Sequence, residues 1–182
     1  MKKKILIGVG VFVLILIIGF IYLNYRNRSL SPPGEAMYNK GDFTIEIPYS
    51  RPSKKERVIF GPEEKGALQP NGVYWRLGAN EGTEITVNKD IIFNGEKLSA
   101  GTYRMYAVPG SESFEISLNS ELGKWGYMEP DYSLDVLKTS IPIETSKESV
   151  EQFTIRFEES GSKVLIVCEW SFTKIKIPVE FQ

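Results

Sequence analysis

The sequence predicts an all-β protein, an antiparallel β-sandwich of the immunoglobulin-like or jelly-roll-like kind, preceded by one N-terminal transmembrane helix. Three observations lead to this prediction. An uncharged apolar run fills residues 5–23. Beyond residue 43, hydrophobic residues recur with a period of two, which is typical of strands that bury one face. Turn-forming pairs such as Asn94-Gly95 separate these runs, and helical periodicity is sparse. A closed barrel is the alternative arrangement of the same strands.

The N-terminal run has the length and the flanking residues of a membrane span. At 1.5 Å per residue, about 19 residues cover close to the ~30 Å hydrocarbon core of a bilayer. Three lysines precede the run, whereas only Arg26 and Arg28 follow it closely, which favours a cytoplasmic N-terminus. The sequence therefore predicts a single-pass membrane protein whose domain is extracytoplasmic. A cleaved signal peptide is the alternative, although its apolar core is usually shorter, at about 7–15 residues.

The remaining chain divides into a short connection and one domain. Residues 29–42, "SLSPPGEAMYNKGD", contain Pro32-Pro33-Gly34 and no apolar period, so they are expected to be a linker. We therefore predict a membrane anchor over residues 1–28, a linker over 29–42 and an extracytoplasmic β-sandwich domain over 43–182. The domain is long enough for one substantial core.

The strands are predicted in order from alternating apolar residues. The runs with one apolar face are 43–47, 73–77, 85–87, 103–108, 114–118, 153–157 and 175–181. Residues 163–170, "KVLIVCEW", are apolar on both faces and predict a central strand, with Cys168 as a small buried hydrophobe. Hairpins are expected at Asn94-Gly95 and within residues 158–163. A short helical turn is expected near residues 146–151, with Ser146 as its cap.

Composition excludes several classes of function. The chain has no histidine and one cysteine, which removes Ser-His-Asp catalysis, imidazole metal sites and thiolate zinc cages. Five of its 22 basic residues precede Glu35, the first acidic residue. The rest of the chain is acidic, with a net charge of about −6, which disfavours nucleic-acid binding. No metal, cofactor or nucleic-acid partner is expected.

Residues 75–82, "WRLGANEG", are the first candidate site. If Trp75 enters the core, Arg76 points to the opposite face of its strand, and its planar guanidinium suits a carboxylate or sulfate. Asn80 and Glu81 follow in a turn flanked by glycines, where binding residues often lie. The alternative is structural: Arg76 pairs with Glu81 or a neighbouring acid, and the glycines only permit the turn.

Two further segments contribute candidates. Residues 50–61, "SRPSKKERVIFG", concentrate four basic residues, beginning with Arg51. This charge run is either a solvated face or a site for an anion or for lipid head groups of the nearby bilayer. Trp125 lies in a glycine-rich aromatic loop and either stacks on a ligand or plugs the edge of the core. The predicted ligand-binding residues are Arg51, Arg76, Asn80, Glu81 and Trp125.

A series of short motifs resembles a known family. These motifs are "SRPSKKERVIFG", "NGVYWRLGANEGTEI", "NGEKLSAGTYRMYAVPG", "FEISLN" and "DYSLDVLK". In this order they resemble domain-of-unknown-function family 2911, and the resemblance covers most of residues 43–182. It implies a single real domain in an exported or membrane-anchored bacterial protein. It implies no established substrate.

Three functions of different classes follow from these observations. The leading hypothesis is a membrane-anchored module that binds a small molecule or an envelope protein. The second is an envelope scaffold or assembly protein whose contacts run through sheet edges or an outer apolar patch. The third, less favoured, is a hydrolase that uses two carboxylates among Glu81, Glu129, Asp131 and Asp135, since glycosidases need such a pair about 5–10 Å apart.

Overall fold

The computed structural model describes residues 2–181 and begins with one long helix. Helix α1 spans Lys2–Leu30, and none of its residues is buried. It is apolar on all sides, so it has no face that would pack on a soluble core. By length and composition it could cross a membrane, a test that a signal sequence near the N-terminus also passes.

The rest of the described chain is built from strands, which hold 53% of the residues. The strands are β1 (Pro33–Lys40), β2 (Phe43–Ser50), β3 (Phe60–Gly61), β4 (Gln69–Pro70), β5 (Thr83–Val87), β6 (Ile91–Phe93), β7 (Glu96–Leu98), β8 (Gly101–Val108), β9 (Ser113–Asn119), β10 (Asp135–Ser160) and β11 (Lys163–Phe181). Two single-turn 3₁₀ helices lie at Glu63–Lys65 and Tyr132–Leu134. The predicted all-β class with one N-terminal apolar helix is confirmed.

Nine strands form one antiparallel sheet in the order β1-β2-β5-β8-β9-β10-β11-β6-β7, and β3 and β4 form a separate parallel pair. Strand β10 joins the two parts of the sheet, since its first eight residues pair with β9 and the later ones pair with β11. The sheet curves back on itself there. The hydroxyl of Tyr49 on β2 accepts a hydrogen bond from the backbone amide of Ile155 on β10 at 2.9 Å, although many strands separate the two in the sheet.

The curved sheet encloses a core rich in aromatic rings. At its centre the ring of Trp75 lies 5.1 Å from that of Phe153 and 6.0 Å from that of Trp170. Near the other end of the core, Phe43 on β2 stacks on Phe181 on β11 at 4.0 Å. Burial of each such side chain contributes about 1.5–3 kcal/mol, so these rings dominate the stability of the fold.

Most strand predictions are confirmed. The runs at 43–47, 85–87, 103–108, 114–118, 153–157, 163–170 and 175–181 lie within β2, β5, β8, β9, β10 and β11. Strand β11 lies between β10 and β6, as expected for a central strand. Cys168 is buried, and burial raises the pKa of its thiol to about 12, so the thiol remains protonated and unreactive at neutral pH.

Both predicted hairpins are present. Asn94 and Gly95 have φ values of 47° and 87° and connect β6 to β7, as two-residue turns of this type require. Residues 161–162 connect β10 to β11. The turns were predictable because glycine and asparagine tolerate positive φ at little cost.

The linker prediction for residues 29–42 is wrong where those residues form β1. This strand pairs with β2 residue by residue, from Pro33 opposite Ser50 to Lys40 opposite Phe43. It is held there because Ala36 and Tyr38 alternate into the core. Helix α1 extends to Leu30, so only two residues separate the helix from the sheet.

Two other local predictions also differ from the structure. Residues 73–77 are not a strand, because Trp75 makes only an isolated bridge to Ala107 and the chain then turns at Leu77, whose φ is 52°. Residues 146–151 are not helical; they lie in β10, where the pairing with β11 is irregular between Thr145 and Thr154. A bulge in a strand and a helical turn both interrupt a period of two, which explains the confusion.

Candidate functional site

The end of helix α1 is bound directly to the β domain. The side-chain amide of Asn80 donates a hydrogen bond to the carbonyl of Ser31 at 3.2 Å, just beyond the last helical residue. Arg28, in the last turn, forms an ion pair with Glu81 at 2.5 Å. Two of the predicted ligand-binding residues, Asn80 and Glu81, therefore hold the helix end.

A first cleft, which we call the helix cleft, lies beside this junction. It encloses about 380 Å³. Its walls include Arg28, Tyr49, Glu81, Lys124 and Trp125. Trp125 forms an isolated β-bridge with Glu81, which fixes its backbone beside the helix end. The helix cleft combines both signs of charge with one exposed indole.

A second cleft, which we call the basic cleft, opens on the other side of the helix end. It encloses about 290 Å³ and begins at Leu30 and Ser31. Its charged residues are Lys55, Arg57 and Arg76, and no acidic residue lines it. Lys55 lies in a left-handed turn, with a φ of 48°, so the chain reverses there.

The three cations of the basic cleft are positioned without being neutralised. Among residues 2–181, no carboxylate oxygen lies within 4 Å of the charged nitrogens of Lys55, Arg57 or Arg76. The Arg57 guanidinium donates to the backbone carbonyls of Ser53 at 2.6 Å and Lys54 at 3.0 Å. Such carbonyl contacts fix the direction of a guanidinium but leave its charge in place.

The side chain of Arg76 is the most buried of the three. Its Nη1 donates to the carbonyl of Asn80 at 3.3 Å. Burial lowers the pKa of Arg76, and the nearby charge of Arg104 lowers it further. Desolvation and like charge both disfavour a cation, so an anion bound here would relieve both effects. The one acidic contact nearby is that of Glu151, which accepts from the backbone amide of Lys55 rather than from its ammonium group.

Arg51 lies outside both clefts. Its side chain crosses Gly34, where a Cβ atom would lie only 2.5 Å from the Cδ of Arg51. Its guanidinium reaches the carbonyl of Phe153 at 3.5 Å and the hydroxyl of Thr154 at 3.3 Å, both on β10. Arg51 thus joins the start of β1 to β10.

The five predicted residues therefore do not share one cavity. Glu81 and Trp125 line the helix cleft and Arg76 lines the basic cleft, whereas Asn80 lies between the two clefts. The alternative pairing of Arg76 with Glu81 does not occur, because Glu81 pairs with Arg28.

Sequence reasoning missed Arg104, a buried cation on β8. Its Nη2 donates to the hydroxyl of Tyr74 at 2.6 Å and to the carbonyl of Met128, and its Nη1 lies 3.7 Å from the carboxylate of Glu121. The loop between β9 and β10 covers it. The period of β8 placed Arg104 on the outer face, but no local signal indicated that a distant loop would bury that face.

The carboxylates considered for hydrolysis are each engaged in local hydrogen bonds. Glu129 accepts from the hydroxyl of Tyr132, Asp131 accepts from Ser133, and Asp135 accepts from the hydroxyl of Tyr106. Within residues 2–181, no group of three or more metal-ligating side chains comes together. These carboxylates stabilise the loop that covers β8.

Comparison with known proteins gives one match. A family model described as "Protein of unknown function (DUF2911)" matches residues 31–179. No curated protein and no solved structure matches the chain. The match begins at Ser31, so it includes β1 and leaves out helix α1.

Proposed function

The chain belongs to the DUF2911 family, whose function is not established, and on that premise we propose that it is a membrane-anchored, extracytoplasmic β domain that binds a small anionic ligand in the basic cleft. The observation that carries the proposal is the presence of three unneutralised cations, Lys55, Arg57 and Arg76, around one acid-free cleft. The ligand class is a compact oxyanion or a group that carries one, such as a carboxylate, sulfate or phosphate.

The chemistry of the three side chains supports an oxyanion. A guanidinium offers several N–H donors in a planar fork that matches two oxygens of a carboxylate, sulfate or phosphate. Arg57 and Arg76 use only part of this capacity on backbone carbonyls. Like charges in one partly buried cleft repel each other, so an anion between them is stabilising.

The membrane part of the proposal rests on helix α1. Its apolar length, together with the lysines at positions 2–4, supports a single span with a cytoplasmic N-terminus. The basic cleft begins at Leu30 and Ser31, directly after this helix. The anionic ligand would therefore be captured close to the outer surface of the membrane.

The other predicted residues take supporting roles in this proposal. Asn80 holds the end of helix α1 and offers its carbonyl to Arg76, so it fixes one wall of the basic cleft. Arg51 anchors the start of β1 to β10. Glu81 and Trp125 belong to the neighbouring helix cleft.

The scaffold alternative would use the edges of the sheet. The edge strands are β1 and β7. They expose Glu35, Lys40, Glu96 and Lys97, and charged side chains on an edge disfavour pairing with another strand. The anion-binding function is therefore the better supported of the two.

Titration of the full chain in lipid nanodiscs with inorganic phosphate tests the proposal. At low salt we expect saturable binding, seen by calorimetry or by ³¹P line broadening. Arg76→Ala and Arg57→Ala should each weaken binding by about tenfold, the loss expected when one charge-assisted contact of about 1.4 kcal/mol is removed. Lys97→Ala removes an exposed charge on β7 and is the matched control.

The outcome that contradicts the proposal is equally clear. If phosphate and sulfate bind the two arginine variants as they bind the wild type, or bind none of the chains, the basic cleft is not an anion site. Near-ultraviolet circular dichroism of each variant checks that the aromatic core is intact.

A further inference from the structure

A short loop next to the helix end exposes several large apolar side chains. We call residues 122–128, "LGKWGYM", the aromatic loop. Four of its seven side chains are large, apolar and at least 40% exposed, and they are Leu122, Trp125, Tyr127 and Met128. Exposed apolar residues concentrated in this way mark a contact surface more often than scattered ones do.

The exposure of the aromatic loop does not come from a loose backbone. The amide of Gly126 donates to the carbonyl of Asn80 at 2.9 Å, and the amide of Gly82 donates to the carbonyl of Lys124 at 3.3 Å. A Cβ atom at position 126 would lie 2.6 Å from the Cδ of Arg76, so this position needs glycine. The loop is pressed onto the residues that hold helix α1, and its side chains project from a fixed support.

The aromatic loop lies at a predictable height above the membrane. Arg28 is five residues beyond Leu23, the end of the apolar run, which corresponds to a rise of about 7.5 Å along the helix. The headgroup layer on each side of the hydrocarbon core is about 5–8 Å thick. Arg28 shares the helix cleft with Lys124 and Trp125, so these residues flank the last turn of the helix at the depth of the lipid head groups.

The charges around the aromatic loop are compatible with a bilayer surface. Each nearby carboxylate has an internal partner: Glu81 pairs with Arg28, Glu84 accepts from the amide of Gly123 at 2.9 Å, and Glu121 pairs with Lys124 at 3.2 Å. These contacts reduce the repulsion that free carboxylates would meet at phosphate groups.

We propose that the aromatic loop docks into the headgroup layer of the same bilayer that helix α1 spans. Tryptophan and tyrosine favour this layer because their rings are apolar and their N–H and O–H groups remain hydrated. The inference depends on the membrane anchoring in the proposed function and is independent of anion binding in the basic cleft. The domain would then lie on the membrane, held by the helix and by the loop.

The tryptophans of the chain provide a selective test. Trp75 and Trp170 are fully buried, and Trp125 is exposed. The full chain is reconstituted in phosphatidylcholine vesicles, with and without bromine on the upper part of the acyl chains, and tryptophan emission is measured. We expect brominated lipid to quench part of the emission, and we expect Trp125→Phe to lose that quenched part.

A second variant keeps the test independent of position 125. Tyr127→Trp on the Trp125→Phe background should restore quenching by brominated lipid, because Tyr127 is the most exposed ring of the loop. If Trp125 is instead quenched by aqueous acrylamide to the same degree in vesicles and in detergent, and brominated lipid has no effect, the docking surface does not exist.

Carbonate washing of the same vesicles separates the two proposals. A chain that stays in the membrane while Trp125 ignores brominated lipid overturns only the docking surface. A chain that carbonate releases overturns the membrane anchor and the docking surface together. Phosphate binding to the released chain would still be decided by the basic-cleft variants.

Discussion

The β10–β11 hairpin and the segment of residues 51–82 handle charge in opposite ways. In the hairpin, Glu169 binds Arg156 and Lys174, and Lys176 binds Glu144. Within residues 51–80, by contrast, no side chain forms an ion pair with another described residue. Of the six non-glycine residues with positive φ in the described chain, four lie in this segment, at positions 55, 56, 77 and 80.

The difference follows from how each region satisfies its backbone. In the hairpin, neighbouring strands supply the backbone hydrogen bonds, so charged side chains are free to pair with each other. In the segment, side chains must serve the backbone: Arg57 donates to the carbonyl of Ser53, and the hydroxyl of Thr83 donates to that of Leu77. The charges left without partners make the segment the region of the molecule suited to bind a ligand.

The strongest way to break the comparison is to remove the side chain that joins the two regions. Phe153 on β10 is fully buried against Trp75 of the segment and Trp170 of the hairpin. We expect Phe153→Ala to lower the free energy of unfolding by about 3–5 kcal/mol, because it leaves a cavity at the centre of the core. Urea unfolding of the full chain in detergent, followed by near-ultraviolet circular dichroism, measures the change.

One outcome would show that the regions are separate. If the hairpin stays folded while signals from the segment are lost, unfolding has two steps and the core is not shared.

The hairpin can be weakened through its buried charge. Burial works to raise the pKa of Glu169, but hydrogen bonds from Lys174 and Arg156 outweigh it, so the pKa lies below the ordinary value. A lowered carboxyl pKa stabilises the fold above the unfolded pKa of about 4.3, and this stability is lost as the pH falls through the folded pKa. Wild-type stability should therefore fall below about pH 4.

Glu169→Gln isolates this contribution. At pH 7 we expect a loss of about 1.5–3 kcal/mol, the range for hydrogen bonds to charged groups. The variant should also depend less on pH between 5 and 3 than the wild type does, as measured by urea midpoints. Glu180→Gln, which breaks an exposed pair with Lys163, is the control and should have a smaller effect. Equal pH dependence of wild type and Glu169→Gln would contradict the assignment.

The backbone of the segment offers a third comparison. Gly78 has a φ of 149°, and a Cβ atom there would lie 2.8 Å from the carbonyl oxygen of Ser50. Gly161, in the hairpin turn, has a φ of 62° and open space around it. We expect Gly78→Ala to cost about 1–3 kcal/mol and Gly161→Ala to cost less, because only the first adds an overlap to the strain. Thermal unfolding of the two variants gives the order, and a reversed order would show that the segment yields easily.

The smallest effect on stability is expected in the basic cleft itself. Lys55 is exposed and its side chain makes no hydrogen bond or ion pair with described residues. Lys55→Ala should change the free energy of unfolding by less than about 0.5 kcal/mol, as surface substitutions usually do. A loss comparable to that of Glu169→Gln would mean that Lys55 has a structural role.

The same contrast explains how far the sequence alone could predict the fold. Strands β2, β5, β9 and β11 and both hairpins were predictable, because a period of two and turn residues such as Asn94-Gly95 act locally. Strand β1 was missed because Pro32-Pro33-Gly34 masks the short alternation of Ala36 and Tyr38. The turn at Leu77 was missed because its positive φ is imposed by tertiary contacts.

The candidate site was only partly predictable for a similar reason. Residue type and position identified Arg76 and the basic run near Arg57, since both are visible in a short window of sequence. The division of the five candidates between two clefts depends on where helix α1 ends. The burial of Arg104 depends on a loop that closes over β8 from about 20 residues farther along the chain. Neither arrangement leaves a local pattern.

The stacking of Phe43 on Phe181 has a consequence for biogenesis. The two rings come from the beginning and the end of the sheet, so the ribosome makes one long before the other. If the chain crosses the bilayer as it is made, Phe43 and its neighbours emerge early and must stay unaggregated until the last strand arrives. Export machinery or a periplasm-type chaperone that shields this early hairpin would therefore control the yield of native protein.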